Sequence, residues 1–361
     1  MPELLSEPDI LLLVSAFVPL AGRRALRATG VQCQGLEQVG LRSRHCLWYA
    51  FGGHSQDDAE RVGSTAVQLL DLRKGTWEVA PNLCEGRTGA AAAVLDGRLV
   101  VCGGCPRGSS PSEALRSVES FDPAEGRWEA LPPMTLARCG AAAASLGRCL
   151  FVCGGMNPTT RSVEFLDMVS RRWQAAPSMD YHRGLLSASV LQGKLYVVGG
   201  FDDQRGGRQN LRSVEFLSMD SGQAASWQTG PDLAECRLRP ASAALGGRIF
   251  VCGGEGDSGF QNTVEVLEPG ASSWEMMPRL SVHRFGAAAA VVAGRLYVGG
   301  GFETSSARGI LRPSKKVECY DPDELDATWK DPASYHSSDS FACLSWTSHL
   351  GEAMVALPAS R

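Results

Sequence analysis

The chain has no basic block. Its 361 residues carry 35 Lys and Arg against 39 Asp and Glu, a formal net charge of −4, with both signs spread along the sequence. Nucleic-acid and anionic-membrane binding rest on clustered positive charge, so neither is expected. There is also no apolar run long enough to cross a bilayer as a helix. The longest, Ile10 to Leu20, falls well short of the roughly 20 residues needed. As a secretory signal it lacks the preceding positive residues, since Glu3, Glu7 and Asp9 stand there instead. An intracellular protein is expected, cytoplasmic with the nucleus as a further compartment. Zinc patterns are missing too: among 12 cysteines there is one CxxC, Cys102 to Cys105, and no second pair to complete a four-ligand site. No nucleophile–base pairing is readable. No enzymatic activity, cofactor or metal is therefore expected.

What is present is repetition. Gly-Gly occurs at Gly52-Gly53, Gly103-Gly104, Gly154-Gly155, Gly199-Gly200, Gly253-Gly254 and Gly300-Gly301. Each pair is followed by a tryptophan: Trp77, Trp128, Trp173, Trp227, Trp274 and Trp329. From each of the first five tryptophans to the next Gly-Gly is 26 residues, and an arginine (Arg87, Arg138, Arg183, Arg237, Arg284) stands ten residues into the interval. A period near 50 residues marks stacked supersecondary units.

Superposed, the units read as four strands. An alanine-rich first strand follows the arginine, as in Ala90 to Leu95 and Ala287 to Val292. Alanine is a poor strand former, so its recurrence implies crowding near a central axis. A β-branched and aromatic second strand, such as Leu195-Tyr196-Val197-Val198, runs into Gly-Gly and is expected to be buried on both faces. The third strand carries Val-Glu, and the fourth the tryptophan, expected to pack near the neighbouring Gly-Gly and to require those glycines by its bulk. Cys102, Cys153 and Cys252 precede Gly-Gly in the second strand and read as small buried hydrophobes.

This pattern resembles a kelch-repeat β-propeller over roughly residues 46–350. The resemblance implies an all-β propeller of six blades, with one variant in the third strand of each of two units, Gln68 for Glu and Ser218 for Asp. The first unit lacks an alanine strand, and residues 340–346 after Trp329 are expected to supply it, closing the ring. Residues 351–361 are left as a tail. Residues 1–45 resemble a truncated F-box, with Pro8-Asp9 starting a helix and Pro19 ending it. That resemblance implies a Skp-type adaptor and a cullin ubiquitin ligase as partners; the other reading of the segment is a helical cap on the propeller.

In kelch substrate receptors the ligand mouth lies after Gly-Gly and after the repeat arginine. Carried over, the mouth comprises His54, Cys105, Met156, Phe201, Glu255 and Phe302, with Thr88, Cys139, Leu238, Arg239 and Phe285. These side chains are expected to face solvent and to take a protein or peptide partner through aromatic anchors. The repeat arginines are expected to be structural. Some proteins resembling this one are enzymes, including copper oxidases, sialic-acid mutarotases and specifier proteins. His182 and His283, and the acidic runs Asp202-Asp203 and Glu255-Gly256-Asp257, are the further residues read as candidates for metal chemistry. A cytoskeletal or general scaffold is the remaining alternative.

Overall fold

The computed structural model describes residues 46–51, 65–331 and 353–358, except 72–75, 107–112, 124, 157–159, 205–206, 221–222, 293, 305–310, 315 and 325–327. The F-box-like segment, His54, and the 340–346 segment lie outside the described residues.

Among the described residues five four-stranded sheets and the three-stranded sheet of Ala288–Val292 follow one another along the chain, beside one further three-stranded and two two-stranded sheets, every pairing antiparallel. The second sheet shows the pattern: Ala91–Leu95 pairs with Arg98–Cys102, then Val118–Asp122, then Arg127–Leu131. Tight turns make the first hairpin, with Asp96 and Gly97 both at positive φ. The third, fourth and fifth sheets repeat this order, starting from Ala142–Leu146, Ser187–Leu191 and Ala241–Leu245. The sixth has Ala288–Val292, Arg295–Gly299 and Val317–Tyr320.

The leading strands of these sheets touch one another in a closed cycle, and the cycle passes through Ala353–Pro358. That last strand pairs with Cys46–Phe51, Leu357 opposite Leu47 and Val355 opposite Tyr49. The first sheet is therefore built from both ends of the described chain, and this pairing closes the ring. This corrects two expectations: the closing strand is 353–358 and not 340–346, and 351–361 is not a mere tail. The repeat spacing that placed every other strand stops at Trp329, so counting onward from it misplaces the strand.

Crowding at the axis explains the alanines. A cavity of about 150 Å³ runs there, walled by Ala90, Ala91 and Ala92 of one sheet and by Ala141, Ala142 and Ala143 of the next. Larger side chains would fill it. The second strands pack between sheets: Leu99, Val100 and Val101 are fully buried, as are Leu150, Phe151 and Val152. Burying such side chains stabilises by about 1.5–3 kcal/mol each.

Candidate functional site

Each repeat arginine is buried and engages the third-strand glutamate of its own sheet. The Arg183 guanidinium donates to Glu215 Oε1 at 2.8 Å, to the Gly199 carbonyl at 2.8 Å and to the Ser213 carbonyl at 2.9 Å. Arg138–Glu164, Arg237–Glu265 and Arg284–Glu318 repeat the ion pair at 2.9, 2.8 and 2.7 Å. The glutamate's other oxygen accepts a loop N–H, as Glu215 Oε2 does from Asp180 at 2.6 Å. Burial pulls Arg183 below the ordinary arginine value and Glu215 opposes the shift. Such a fully bonded cation locks a loop; it is not presented to a ligand.

The same arginine ties neighbouring sheets together through its backbone. Gly104 donates to the Arg138 carbonyl at 2.8 Å, and Gly155 to that of Arg183 at 2.9 Å. A Cβ on Gly103 would lie 2.3 Å from the Arg138 carbonyl oxygen, and its φ is +63°. The first glycine of the pair is thus required by the neighbouring backbone and by its own conformation, not by tryptophan bulk. The tryptophans do bridge sheets, but elsewhere: Trp173 Nε1 donates to the Pro132 carbonyl at 2.7 Å, and Trp227 Nε1 to that of Pro177 at 2.8 Å.

Two residues beyond each arginine, a second ladder links the sheets. Gly140 donates to Gly89 at 2.9 Å, Leu185 to Gly140 at 2.8 Å, Arg239 to Leu185 at 2.9 Å and Gly286 to Arg239 at 3.1 Å. All five sit at positive φ, including Leu185 at 56° and Arg239 at 51°. Left-handed backbone disfavours any side chain, so these two depart from a rule that glycine keeps in the other three. Sequence reasoning missed Leu185. The signal was its fixed place two residues past Arg183.

The structure brings most of the expected mouth residues together, but inward. Cys105, Cys139, Phe201, Leu238, Phe285 and Phe302 form one buried cluster with Leu185, against which Met156 and Phe260 pack. Phe201 is 8% exposed, Phe302 6% and the two cysteines 0%. Thr88 and Arg239 are buried as well, while Met156 and Glu255 are half-buried. This corrects the expectation of a solvent-facing mouth. The aromatic rings stack on one another, Phe260 on Phe285 at 4.3 Å and Phe285 on Phe302 at 5.5 Å between centroids, in a plug that shares Leu185 with the lining of the axial cavity.

Arg239 reaches the cavity wall beside this plug, its guanidinium 5.4 Å from the centre of the Phe285 ring. Burial lowers it to about 9; Glu255 opposes the shift and Arg208 adds to it. Arg208 lies over Phe201 at 4.8 Å.

Among the described residues three short hairpins follow Gly-Gly in the fourth, fifth and sixth sheets and supply Phe201, Phe260 and Phe302 to the plug. They pair Phe201–Asp202 with Gln209–Asn210, Glu255–Gly256 with Gly259–Phe260, and Phe302–Thr304 with Leu311–Pro313. Arg208, Gln209, Asn210, Glu255 and Asp257 line a polar recess between the first two. Among the described residues no group of three or more His, Cys, Asp or Glu lies together. His182 and His283 sit on the rim, half-buried and exposed.

The Kelch motif matches residues 86–135, and the KLHDC2/KLHL20/DRC7 Kelch-repeats domain matches residues 140–341, more than half of the chain. Kelch domain-containing protein 8B of Rattus norvegicus is 42% identical over 93 residues, 25% of this chain and 25% of that protein. The Homo sapiens protein of the same name gives the same figures. An F-box/kelch-repeat protein of Arabidopsis thaliana is 34% identical over 91 residues, 25% of this chain and 22% of its own length. The chain thus matches about a quarter of the length of these curated relatives. The solved structure of YjhT superposes with a TM-score of 0.62 over 78% of this chain and 97% of YjhT, at 15% identity, a likeness of fold alone. With its repeat arginines, glycine pairs and closed ring of sheets, the chain belongs to the KLHDC2/KLHL20/DRC7 Kelch-repeats domain family.

Proposed function

We propose that this chain is an intracellular six-bladed interaction module. On this reading it takes a protein partner on its hairpin-bearing face and presents that partner to a cullin-type ubiquitin ligase through residues 1–45. A kelch propeller supports the interaction module in general terms. The observation that carries the choice of face is the set of hairpins described after Gly-Gly. They rise from the fourth to sixth sheets and bring a polar recess with Arg208, Glu255 and Asp257 beside a rigid aromatic plug. A rigid surface loses little conformational entropy on binding, and polar groups of both signs give orientation and selectivity. The plug serves as support beneath the contact surface and not as the contact itself.

The count of six rests on treating the three-stranded sheet as a blade whose outer strand is reduced to one bridge, where Cys319 and Lys330 exchange hydrogen bonds at 2.9 Å. The intracellular placement rests on nine cysteines that are free thiols. The ligase role rests on the F-box-like sequence and on matches to F-box/kelch-repeat proteins. Affinity capture with the full chain and with residues 1–45 deleted tests it. Skp-type and cullin subunits should be captured only by the full chain, and their absence from both would reduce the reading to an interaction module alone.

A further inference from the structure

Polar departures from the repeat meet at one seam of the axial cavity, between the fourth and fifth sheets. Two residues past the repeat arginine, three units carry Gly89, Gly140 and Gly286, but the fifth sheet's unit carries Arg239. Four residues past it stand Ala91, Ala142, Ala241 and Ala288, but the fourth has Ser187. One place further on, Ser242 stands where other units have alanine. Arg239, Ser187 and Ser242 all line the cavity. Two ties hold the seam: the Arg239 N–H donates to the Leu185 carbonyl at 2.9 Å, and Ser189 Oγ and Ser242 Oγ hydrogen-bond at 2.7 Å. Ser187 lies midway between Leu185 and Ser189 on the same segment, so the two ties bracket it.

Arg239 holds its place against two unfavourable terms. Its backbone is left-handed, at a φ of 51°, a strain that clusters at ligand sites. Its charge is also buried, which is unfavourable without a compensating anion. Glu255 favours the cation and Arg208 opposes it, so two positive charges stand with one negative. Ser187 is buried too, and its hydroxyl finds no hydrogen-bond partner among the described residues. A buried hydroxyl left unbonded is destabilising.

We propose that the axial cavity binds one small monovalent anion, of the size and charge of chloride, at this seam between Arg239, Ser187 and Ser242. The walls choose the ligand. No acidic residue lines the cavity, so a cation would meet no charged partner there. One surplus positive charge is balanced by one negative charge, which disfavours a phosphate dianion. With Ser189 donating to Ser242, the Ser242 hydrogen is turned to the ion, and Ser187 gains the acceptor it lacks. A single water needs roughly 10–15 Å³ of such space. The cavity's 150 Å³ therefore takes the ion with part of its hydration shell. This site is independent of the partner-binding reading.

The test uses the full chain in gluconate buffer and follows its melting temperature as chloride replaces gluconate at constant ionic strength. A ligand that binds the folded state alone stabilises by mass action, so the wild type should show a rise that saturates. Arg239→Gly restores the glycine of other units and should lose that rise. Ser187→Ala restores their alanine and should need several-fold more chloride. Arg172→Ala, at an exposed position, should behave as wild type. Crystals of the wild type grown in bromide should give one anomalous peak in the cavity, between Arg239 and Ser187. Should Arg239→Gly fail to fold, the bromide position decides. A wild type that responds to chloride without saturation, or not at all, overturns the proposal. So does a folded Arg239→Gly variant that keeps the saturable rise, or bromide bound only outside the cavity.

Discussion

The carbonyl oxygen of Arg138 stands 2.3 Å from the position a Cβ on Gly103 would take, so one sheet's backbone occupies the place of the next sheet's missing side chain. Gly103→Ala should cost about 3 kcal/mol, combining left-handed strain with a clash that only backbone movement relieves. Gly126→Ala is the control, because Gly126 has the same φ of +63° with nothing within 4 Å. It should cost about 1–2 kcal/mol. Denaturant midpoints of the two variants separate conformation from contact; equal losses would mean that the close approach contributes nothing.

Arg183→Ala leaves the Glu215 carboxylate buried with no cation, and should destabilise by about 3–5 kcal/mol. The double variant Arg183→Met, Glu215→Leu should be less damaged than either single change, because no lone charge remains. Equilibrium unfolding of all three checks this. A double loss equal to the sum of the singles would show that the pair does not act as a unit.

Trp227 is 7% exposed, whereas Trp173 is only half-buried, although both bridge to a proline carbonyl. Trp227→Ala should therefore cost about 3–5 kcal/mol and Trp173→Ala clearly less. Thermal unfolding of the pair reads the difference, and the reverse order would place the inter-sheet core elsewhere.

The architecture was largely legible in the sequence because the repeat is a matter of backbone geometry. Gly103-Gly104, Arg138 and Trp128 recur at fixed intervals since each contacts the neighbouring sheet at a fixed place. The candidate site was legible only as a list of positions. Residue order shows that Phe201 and Phe302 share a position in their repeats, but not whether that position points to solvent or across the axis. Packed into one cluster, such residues bury themselves. Closure at 353–358 was hidden for the opposite reason: no glycine pair, arginine or tryptophan marks that strand.

Phe201→Ala and Phe302→Ala follow from that correction. As solvent-facing anchors they would leave stability intact; as plug residues each should cost about 3–5 kcal/mol. A melting temperature unchanged in both variants would return these rings to the surface.

Cys102, Cys153 and Cys252 are pushed up to about 12 by burial. Their neutral form is favoured in the fold, so the stability they contribute is complete below pH 9 and is lost as pH rises from there toward 12. Stability measured across that window should fall less steeply in a Cys153→Ala variant than in wild type. Parallel curves would show that this thiol ionises alike in the folded and unfolded chain.

The central claim, that partners dock on the hairpin-bearing face, is tested most directly by comparing two surface variants in the same capture experiment. One carries Arg208→Ala with Asp257→Ala in the recess; the other carries Arg172→Ala with Met276→Lys on outermost strands, where both residues are exposed. With both variants melting as wild type, the recess variant should lose the captured partner and the outer variant should keep it. Loss from the outer variant with retention by the recess variant would contradict the assignment of the working face.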